Sequence, residues 1–349
     1  MRTRIVERMD SFRRDAVVRT DVIRGKNKIL FKGTVNFCIF TPTILAESVM
    51  SEYHVPVLLQ ESVDALNIVP GGTYVDLTFG GGGHSREILR RLGPEGRLAG
   101  FDQDEDAVSN VPDDPRFLFI RNNFRFMRGA LRAEGIRSVD GILADLGVSS
   151  HHFDTQERGF SFRYDARLDM RMNRNASLTA RDVVNGYAED DLRKIFRDYG
   201  ELDNAGRVVK AIGEFRRRKE IVTIDELKEA VARCIPRADE NRFLAKLFQA
   251  IRIEVNGEME ALKMMLEQSL KMLRSGGRLA VITYHSLEDR LVKNFMRSGN
   301  FGGVAETDFY GNVSSPWEVL TRKAVVPSAE EVAANGRARS AKLRAAAKK

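Results

Sequence analysis

A run of glycines and an acid downstream of it have the clearest chemical use in this sequence. Residues 80–83 are four glycines between a predicted strand and a predicted helix, and Asp102 lies 20 residues after Gly82. Glycines let the backbone bend sharply and approach a ligand closely. A carboxylate that ends the next strand can accept hydrogen bonds from both ribose hydroxyls of a nucleoside. The spacing therefore predicts a nucleoside cofactor, with a ligand-free tight turn as the alternative.

Two cofactors could use such a loop. A dinucleotide needs Gly-x-Gly-x-x-Gly, so that its pyrophosphate can sit at the helix N-terminus. Here Gly80 and Gly82 are followed by Ser85, so the third glycine is missing. S-adenosylmethionine has no phosphate and needs a glycine loop, an acid for the ribose and an apolar slot for the adenine. The sequence therefore favours S-adenosylmethionine and disfavours a dehydrogenase.

A second acid, Asp145, ends the fourth predicted strand. In a parallel sheet, ligands bind at the carboxyl ends of the strands. Asp145 is therefore expected on the same rim as Gly82 and Asp102. The alternative is an aspartate that only caps its own loop.

The elements that must position these residues alternate between strand and helix. Strands are predicted at residues 73–78, 97–102, 117–120, 139–145 and 277–284, with helical segments between them. This order implies an α/β fold with a parallel, doubly wound sheet. Residues 178–255 show only helical segments, one of which starts with the capping-box spacing of Thr223 and Glu226. We therefore predict a helical insertion in a Rossmann-like domain, followed by last strands at 317–320 and 341–344.

Composition suits a globular protein in a reducing compartment. The chain has 349 residues, of which 43% are hydrophobic and 30% charged, enough to bury a core. Its two cysteines, Cys38 and Cys234, exclude a disulfide scaffold and predict a cytoplasmic protein. Residues 33–46 are too short and polar to span a membrane, so no membrane partner is expected. Met50 is predicted to be the true start, with residues 1–49 an upstream-start artefact or, alternatively, a native basic arm.

The net charge of +7 is concentrated at the start of the chain, where residues 1–50 hold ten Lys/Arg and five Asp/Glu. Overall basicity is therefore a weak argument for a polyanionic partner. Local basic clusters lie at residues 158–174, 215–219 and 337–349.

Six longer motifs resemble one known family. They are residues 78–85 (TFGGGGHS), 145–150 (DLGVSS), 157–162 (ERGFSF), 168–172 (LDMRM), 248–256 (FQAIRIEVN) and 285–290 (HSLEDR). Together these runs resemble the RsmH (MraW) family, bacterial 16S ribosomal RNA N4-cytidine methyltransferases that use S-adenosylmethionine. The resemblance covers residues 53–346 and includes the run Tyr199-Gly200-Glu201, although the residues after this run are less typical.

The resemblance implies a substrate, a cofactor and a division of the chain. The substrate is a cytidine in the decoding region of 16S rRNA, within the small ribosomal subunit or its precursor. Residues 1–52 are then an N-terminal extension. Residues 53–153 and 257–349 together form a discontinuous methyltransferase domain, and residues 154–256 form an inserted helical domain that recognises the substrate. The implied cofactor contacts are Gly82, Gly83, His84, Asp102, Phe124, Asp145 and His152. His152 replaces the usual glutamine, and an imidazole cannot use both groups of an amide.

The implied reaction is an in-line displacement in which the cytosine amine attacks the sulfonium methyl. The sulfonium is already activated, so the enzyme mainly orients and desolvates the reactants. An acceptor bonded to N4–H would help the amine to rehybridise and would then take up the proton, directly or through water. We predict that Asp145 is catalytic, with its carboxylate or nearby backbone carbonyls facing the amine.

Arginines next to aromatic residues predict RNA contacts, since arginine binds phosphates and aromatic rings stack on splayed bases. The RNA-contact candidates are Arg158, Arg163, Arg167, Arg171, Arg216, Arg217 and His285, the last because it follows the fifth strand. For the first four, the alternative is a packed loop with salt bridges to Asp154, Asp165 and Asp169. For Arg216 and Arg217 it is a solvated helix, and for His285 a structural histidine.

Other functions stay open on the sequence alone. They are an amino-methyltransferase that acts on DNA or another RNA, and a non-catalytic ribosome-assembly factor that keeps the fold. The five histidines have no cysteine partners at zinc spacing, and adjacent His151 and His152 do not share a helix face, so no metal site is predicted. The oligomeric state is undetermined, with a homodimer as one alternative.

Overall fold

The computed structural model describes residues 56–147, 156–236, 239–304, 306–307 and 313–349. The predicted start at Met50, the chain before it and the predicted cofactor contact His152 lie outside these residues. In the described part, no helix is long and apolar enough to cross a membrane.

A seven-stranded sheet carries the site. Its strands are β1 (Thr73–Asp76), β2 (Arg97–Asp102), β3 (Phe117–Arg121), β4 (Val139–Asp145), β5 (Leu273–Thr283), β8 (Trp317–Val319) and β9 (Lys342–Lys348). The spatial order is β3-β2-β1-β4-β5-β9-β8. The first five strands pair in parallel, whereas β9 is antiparallel to both of its neighbours. A separate hairpin joins β6 (Glu306–Thr307) and β7 (Val313–Ser314). The predicted α/β fold with a parallel sheet is confirmed.

Helices connect the strands as predicted. They are α1 (Leu59–Leu66), α2 (Gly83–Arg91), α3 (Met127–Ala133), α4 (Ala180–Gly186), α5 (Glu189–Asp198), α6 (Ala205–Arg216), α7 (Ile224–Val231), α8 (Glu240–Asn256), α9 (Glu258–Met272), α10 (Ser286–Ser298) and α11 (Ala329–Ala334). Helices α4 to α8 form the predicted helical run between β4 and β5. The capping box at the start of α7 is present, with the Thr223 side chain accepting from Glu226 N–H and the Glu226 side chain accepting from Thr223 N–H.

The helical run buries a core of its own, which includes Phe196, Ile212 and Leu247. Two other clusters cover the sheet, one containing Phe101 and the other Tyr74. A separate apolar core supports a distinct helical layer. The division into domains at residues 154 and 256 remains a proposal.

Two local features differ from the sequence expectation. Strand β5 begins at Leu273, before the expected helix stop at residues 275–277. Gly276 has a φ of 79° and the β4–β5 register shifts between Val139 and Gly141, so the glycines bulge from the strand instead of preceding it. The last strand, predicted at residues 341–344, is β9, but it continues through the basic tail to Lys348. It lies inside the sheet between β5 and β8 and buries Ala345 and Ala346.

Candidate active site

The carboxyl ends of β1, β2 and β4 meet at one rim of the sheet. The Gly80 N–H donates to Asp102 Oδ2 at 2.8 Å, which ties the β1 loop to the end of β2. The Asp145 N–H donates to Thr78 Oγ1 at 2.7 Å, which ties the same loop to the end of β4. The structure therefore brings together the glycine loop and both acids that the sequence singled out.

The loop requires glycine at two of its positions. Gly82 has a φ of 74°, and a Cβ there would lie 2.9 Å from the Phe79 ring. A Cβ on Gly83, the first residue of α2, would lie 2.1 Å from Pro56 Cγ. Both approaches are closer than carbon atoms tolerate. Glycine at these positions therefore lets the loop and the start of α2 pack against Phe79 and Pro56.

His84 is buried and its Nε2 lies 3.2 Å from the Val57 carbonyl oxygen. Burial lowers the pKa of this imidazole, although the neighbouring Asp145 carboxylate opposes the shift. The side chain therefore anchors α2 to residue 57 as a neutral group. A cofactor contact at His84 would come from its backbone.

Asp102 is oriented by backbone donors. Its Oδ2 accepts from Gly80 N–H and its Oδ1 accepts from Asp104 N–H, both at 2.8 Å. Each carboxylate oxygen can accept more than one hydrogen bond. Ribose hydroxyls can therefore bind a carboxylate that is already held in place.

An Asp102→Ala change is expected to weaken binding of S-adenosylhomocysteine about 10- to 100-fold, since hydrogen bonds to a charged group contribute about 1.5–3 kcal/mol. Calorimetry measures this affinity. Asp113→Ala, at an exposed aspartate between β2 and β3, is the control and should bind like the wild type. Equal affinity of the two variants would contradict the role of Asp102.

The Asp145 carboxylate is surrounded by protein and accepts a hydrogen bond from a tyrosine hydroxyl. The Tyr284 hydroxyl donates to Asp145 Oδ1 at 2.8 Å. Burial raises the pKa of Asp145 to about 6, against the opposing effects of His84 and the Tyr284 hydroxyl. At neutral pH the carboxylate is still mostly ionised, and it is a stronger proton acceptor than an ordinary aspartate.

A small pocket lies beside these residues. Phe124, Leu146 and Leu262 give it apolar walls, and Gln103 and Asn123 add amide groups. An apolar slot with a few polar groups suits a flat heterocycle such as adenine. Phe124, one of the implied cofactor contacts, lines this pocket, and its contact with a cofactor stays a prediction.

The helical run also reaches this pocket, which the sequence analysis missed. Met172 and Asn256 line it, and the Asn256 side chain accepts from Met172 N–H and donates to the Met170 carbonyl. Asn256 is the last residue of the fifth family-like motif, residues 248–256. Its place in this motif is the sequence feature that could have identified Asn256 as a residue of the site.

His285 caps the start of helix α10. Its Nδ1 accepts from Glu288 N–H at 3.4 Å. Its Nε2 lies 3.2 Å from Glu288 Oε1 but makes no hydrogen bond within the described residues, and the side chain is 10% exposed. The cap matches the structural alternative for His285, and its contact with RNA stays a prediction.

Glu258, His285 and Glu288 have potential ligand atoms within 4.8 Å of one another. Arg252, however, donates to both carboxylate oxygens of Glu258 at 2.9 and 3.0 Å. His285 Nδ1 already accepts from Glu288 N–H. The cluster is therefore an ion-paired wall of the pocket, and we do not propose a metal centre there.

Arg158 is also a structural residue. Its side chain is 5% exposed, lies 3.3 Å from Asp104 and donates to the carbonyls of Arg171 and Met172. It fixes its loop to the segment after β2, as the packed-loop alternative expects, and its contact with RNA stays a prediction. Arg171 donates to both carboxylate oxygens of Asp169, which matches the packed-loop alternative.

The remaining arginine candidates differ in exposure. Arg216 donates to the carbonyls of Val184 and Tyr187, so it caps α4 and its following turn. Arg217 is 68% exposed, and Arg163 and Arg167 are exposed as well. These three arginines remain accessible to RNA.

Comparison with known proteins gives a family and close relatives. The model of the MraW methylase family matches residues 51–349. The Ribosomal RNA small subunit methyltransferase H of Bacteroides thetaiotaomicron is 59% identical over 297 residues, which cover 85% of this chain and 98% of that protein. The protein of the same name from Flavobacterium johnsoniae gives the same figures.

Solved structures resemble the chain more distantly. An rRNA methylase from Streptococcus thermophilus has 11% identity and a TM-score of 0.39, and covers 85% of this chain and 99% of that one. Fibrillarin from Aeropyrum pernix, with bound S-adenosyl-L-methionine, has 10% identity and a TM-score of 0.33, and covers 82% and 73%. Similarity at this level says nothing of activity.

Proposed function

Because the chain belongs to the MraW methylase family, we propose that it transfers the methyl group of S-adenosylmethionine to N4 of a cytidine in the decoding region of 16S rRNA. The observation that carries the proposal is the rim where Asp102, Asp145 and the glycine loop are hydrogen-bonded together beside an apolar pocket. The name of the close relatives supports ribosomal RNA as substrate. The cytidine and its N4 follow from the resemblance of the six motifs.

Residues of the rim and of the pocket beside it would each bind a different part of the cofactor. The backbone at Gly82 and Gly83 would face the methionine part, Asp102 the ribose and Phe124 the adenine. When bound, the cofactor supplies an electrophilic methyl group. The protein has to orient that group and exclude water, which is where most of the rate enhancement of such a displacement arises.

Asp145 acts on the substrate side of the same rim. Its carboxylate accepts a hydrogen bond from N4–H, which frees the amine lone pair for attack. The same carboxylate then takes up the proton, directly or through water. Backbone carbonyls of the Asp145 loop are the alternative acceptors.

The test uses small ribosomal subunits from a strain that lacks this gene. The subunits are incubated with the protein and methyl-labelled S-adenosylmethionine, and the rRNA is digested for mass mapping. We expect N4-methylcytidine in the decoding region. Label elsewhere in rRNA or in DNA would favour a different amino-methyltransferase, and absence of cofactor binding in calorimetry would favour an assembly factor.

Charge reversal of Arg163, Arg167 and Arg217 is expected to weaken RNA binding and its dependence on salt. Each phosphate contact that is lost should lower the slope of log affinity against log salt by about 1. Filter binding over a range of salt concentrations measures this slope. Arg322→Glu, at an exposed arginine after β8, is the control, and an unchanged slope in the triple variant would reject this RNA surface.

The proposed substrate also determines the binding partner of the protein. The small ribosomal subunit or its precursor is the proposed partner. The cytoplasmic location, the homodimer and the true start of the chain remain predictions.

A further inference from the structure

The Tyr284 hydroxyl touches the carboxylate that we propose to be catalytic. Tyr284 directly follows β5, and its hydroxyl donates to Asp145 Oδ1 at 2.8 Å. The two residues are 139 positions apart in the chain, so only the pairing of β4 with β5 brings them together.

The tyrosine is held at its ring and its backbone as well. A Cβ on Gly147 would lie 3.1 Å from the Tyr284 ring, so the ring packs closely against the backbone after Asp145. The Tyr284 N–H donates to Glu288 Oε2 at 2.9 Å. Glu288 belongs to the capping box of α10, so a shift of Tyr284 would disturb the start of that helix.

The hydroxyl remains protonated and can only donate toward Asp145. Burial and the Asp145 carboxylate together raise the pKa of Tyr284 far above its usual value. Meanwhile Asp145 N–H is bonded to Thr78 Oγ1. The main chain and the Oδ1 atom of Asp145 are therefore both held by hydrogen bonds. Within the described residues, no donor is hydrogen-bonded to its Oδ2 atom.

We infer that Tyr284 is a positioning residue that holds Asp145 Oδ1 and thereby aims Oδ2 at the substrate amine. This inference rests on the proposed function, because it assigns Oδ2 as the atom that accepts the N4 proton. It also predicts that the hydroxyl of Tyr284, more than its ring, matters for turnover.

Tyr284→Phe keeps the ring and removes the hydroxyl. We expect kcat on small subunits to fall about 10-fold, since a hydrogen bond to a charged group contributes roughly that factor or more. The affinity for S-adenosylhomocysteine should stay near wild type. The acid limb of the pH profile should move to higher pH, because loss of a donor to the carboxylate raises its pKa.

Tyr187→Phe is the matched control, since the Tyr187 hydroxyl donates to a carboxylate, that of Glu254, at 3.0 Å within the helical run. It should leave kcat and the pH profile unchanged. Wild-type kcat and acid limb in Tyr284→Phe would overturn the inference. So would a fall in kcat that comes with an unshifted acid limb and a lower unfolding midpoint, since this pattern indicates a merely structural role.

A readout without turnover separates this inference from the proposed function. Carbon-13 NMR of labelled aspartate carboxyls follows the titration of Asp145 directly, and Tyr284→Phe should raise its midpoint. If the wild type forms no N4-methylcytidine, the proposed function fails while this titration still tests the contact. An unshifted midpoint overturns the inference even when the wild type is active.

Discussion

Replacing Asp145 with asparagine is expected to lower turnover by about 100- to 10,000-fold, the usual contribution of a positioned general base. Asparagine keeps the shape of the side chain, and its carbonyl oxygen can still accept from the Tyr284 hydroxyl. It cannot take up a proton from the cytosine amine. The substitution should therefore lower kcat, which is measured by the transfer of labelled methyl groups to small ribosomal subunits.

The same group predicts the pH dependence of the wild-type protein. Burial raises the pKa of Asp145 to about 6, so the carboxylate is ionised above that pH and protonated below it. We expect kcat/KM to be highest above this value and to fall as the pH is lowered through about 6. Raised pKa values of this kind place a base close to the working pH.

Controls separate this effect from a general loss of structure. Asp113→Asn changes an exposed aspartate outside the rim and should leave turnover unchanged. Asp145→Ala also removes the oxygens from the rim and should weaken cofactor binding in addition to turnover. Cofactor binding and turnover both near wild type in Asp145→Ala would refute the role of this residue.

Replacing Arg158 with methionine is expected to lower the free energy of unfolding by about 3–5 kcal/mol, the usual cost of removing one partner from a buried ion pair. The change withdraws the cation beside Asp104 and takes two hydrogen bonds from the carbonyls of Arg171 and Met172. Unfolding in urea, followed by circular dichroism, measures the loss.

Arg163→Met is the matched control for this change. Arg163 lies five residues further along and is exposed, so its loss should change stability by less than about 0.5 kcal/mol. Only the Arg163 variant should leave stability intact while weakening RNA binding. Equal stability of the two variants would contradict the structural role of Arg158.

Much of the catalytic sheet could be predicted from local sequence. Strands β2 and β4 have the predicted bounds, because each is a short apolar run that ends in an aspartate. The rim then follows from topology alone, since parallel strands present their carboxyl ends on one edge. This is why the glycine loop, Asp102 and Asp145 could be expected to lie together.

The roles of individual polar side chains were not predictable in this way. Arg158 and Arg163 are the same residue type in one loop, but only Arg158 packs against Asp104 and the carbonyls of Arg171 and Met172. His285 is not among the usual N-cap residues, yet Glu288 at the third helical position completes a capping box with it. Such roles depend on which distant segment packs nearby.

A crystal structure of the protein with S-adenosylhomocysteine would show where the cofactor binds. We expect the ribose hydroxyls on the Asp102 carboxylate, the adenine against Phe124, and the sulfur turned toward Asp145. A ligand bound away from these three side chains, or a rim that stays filled by protein atoms at saturating ligand, would contradict this placement of the cofactor.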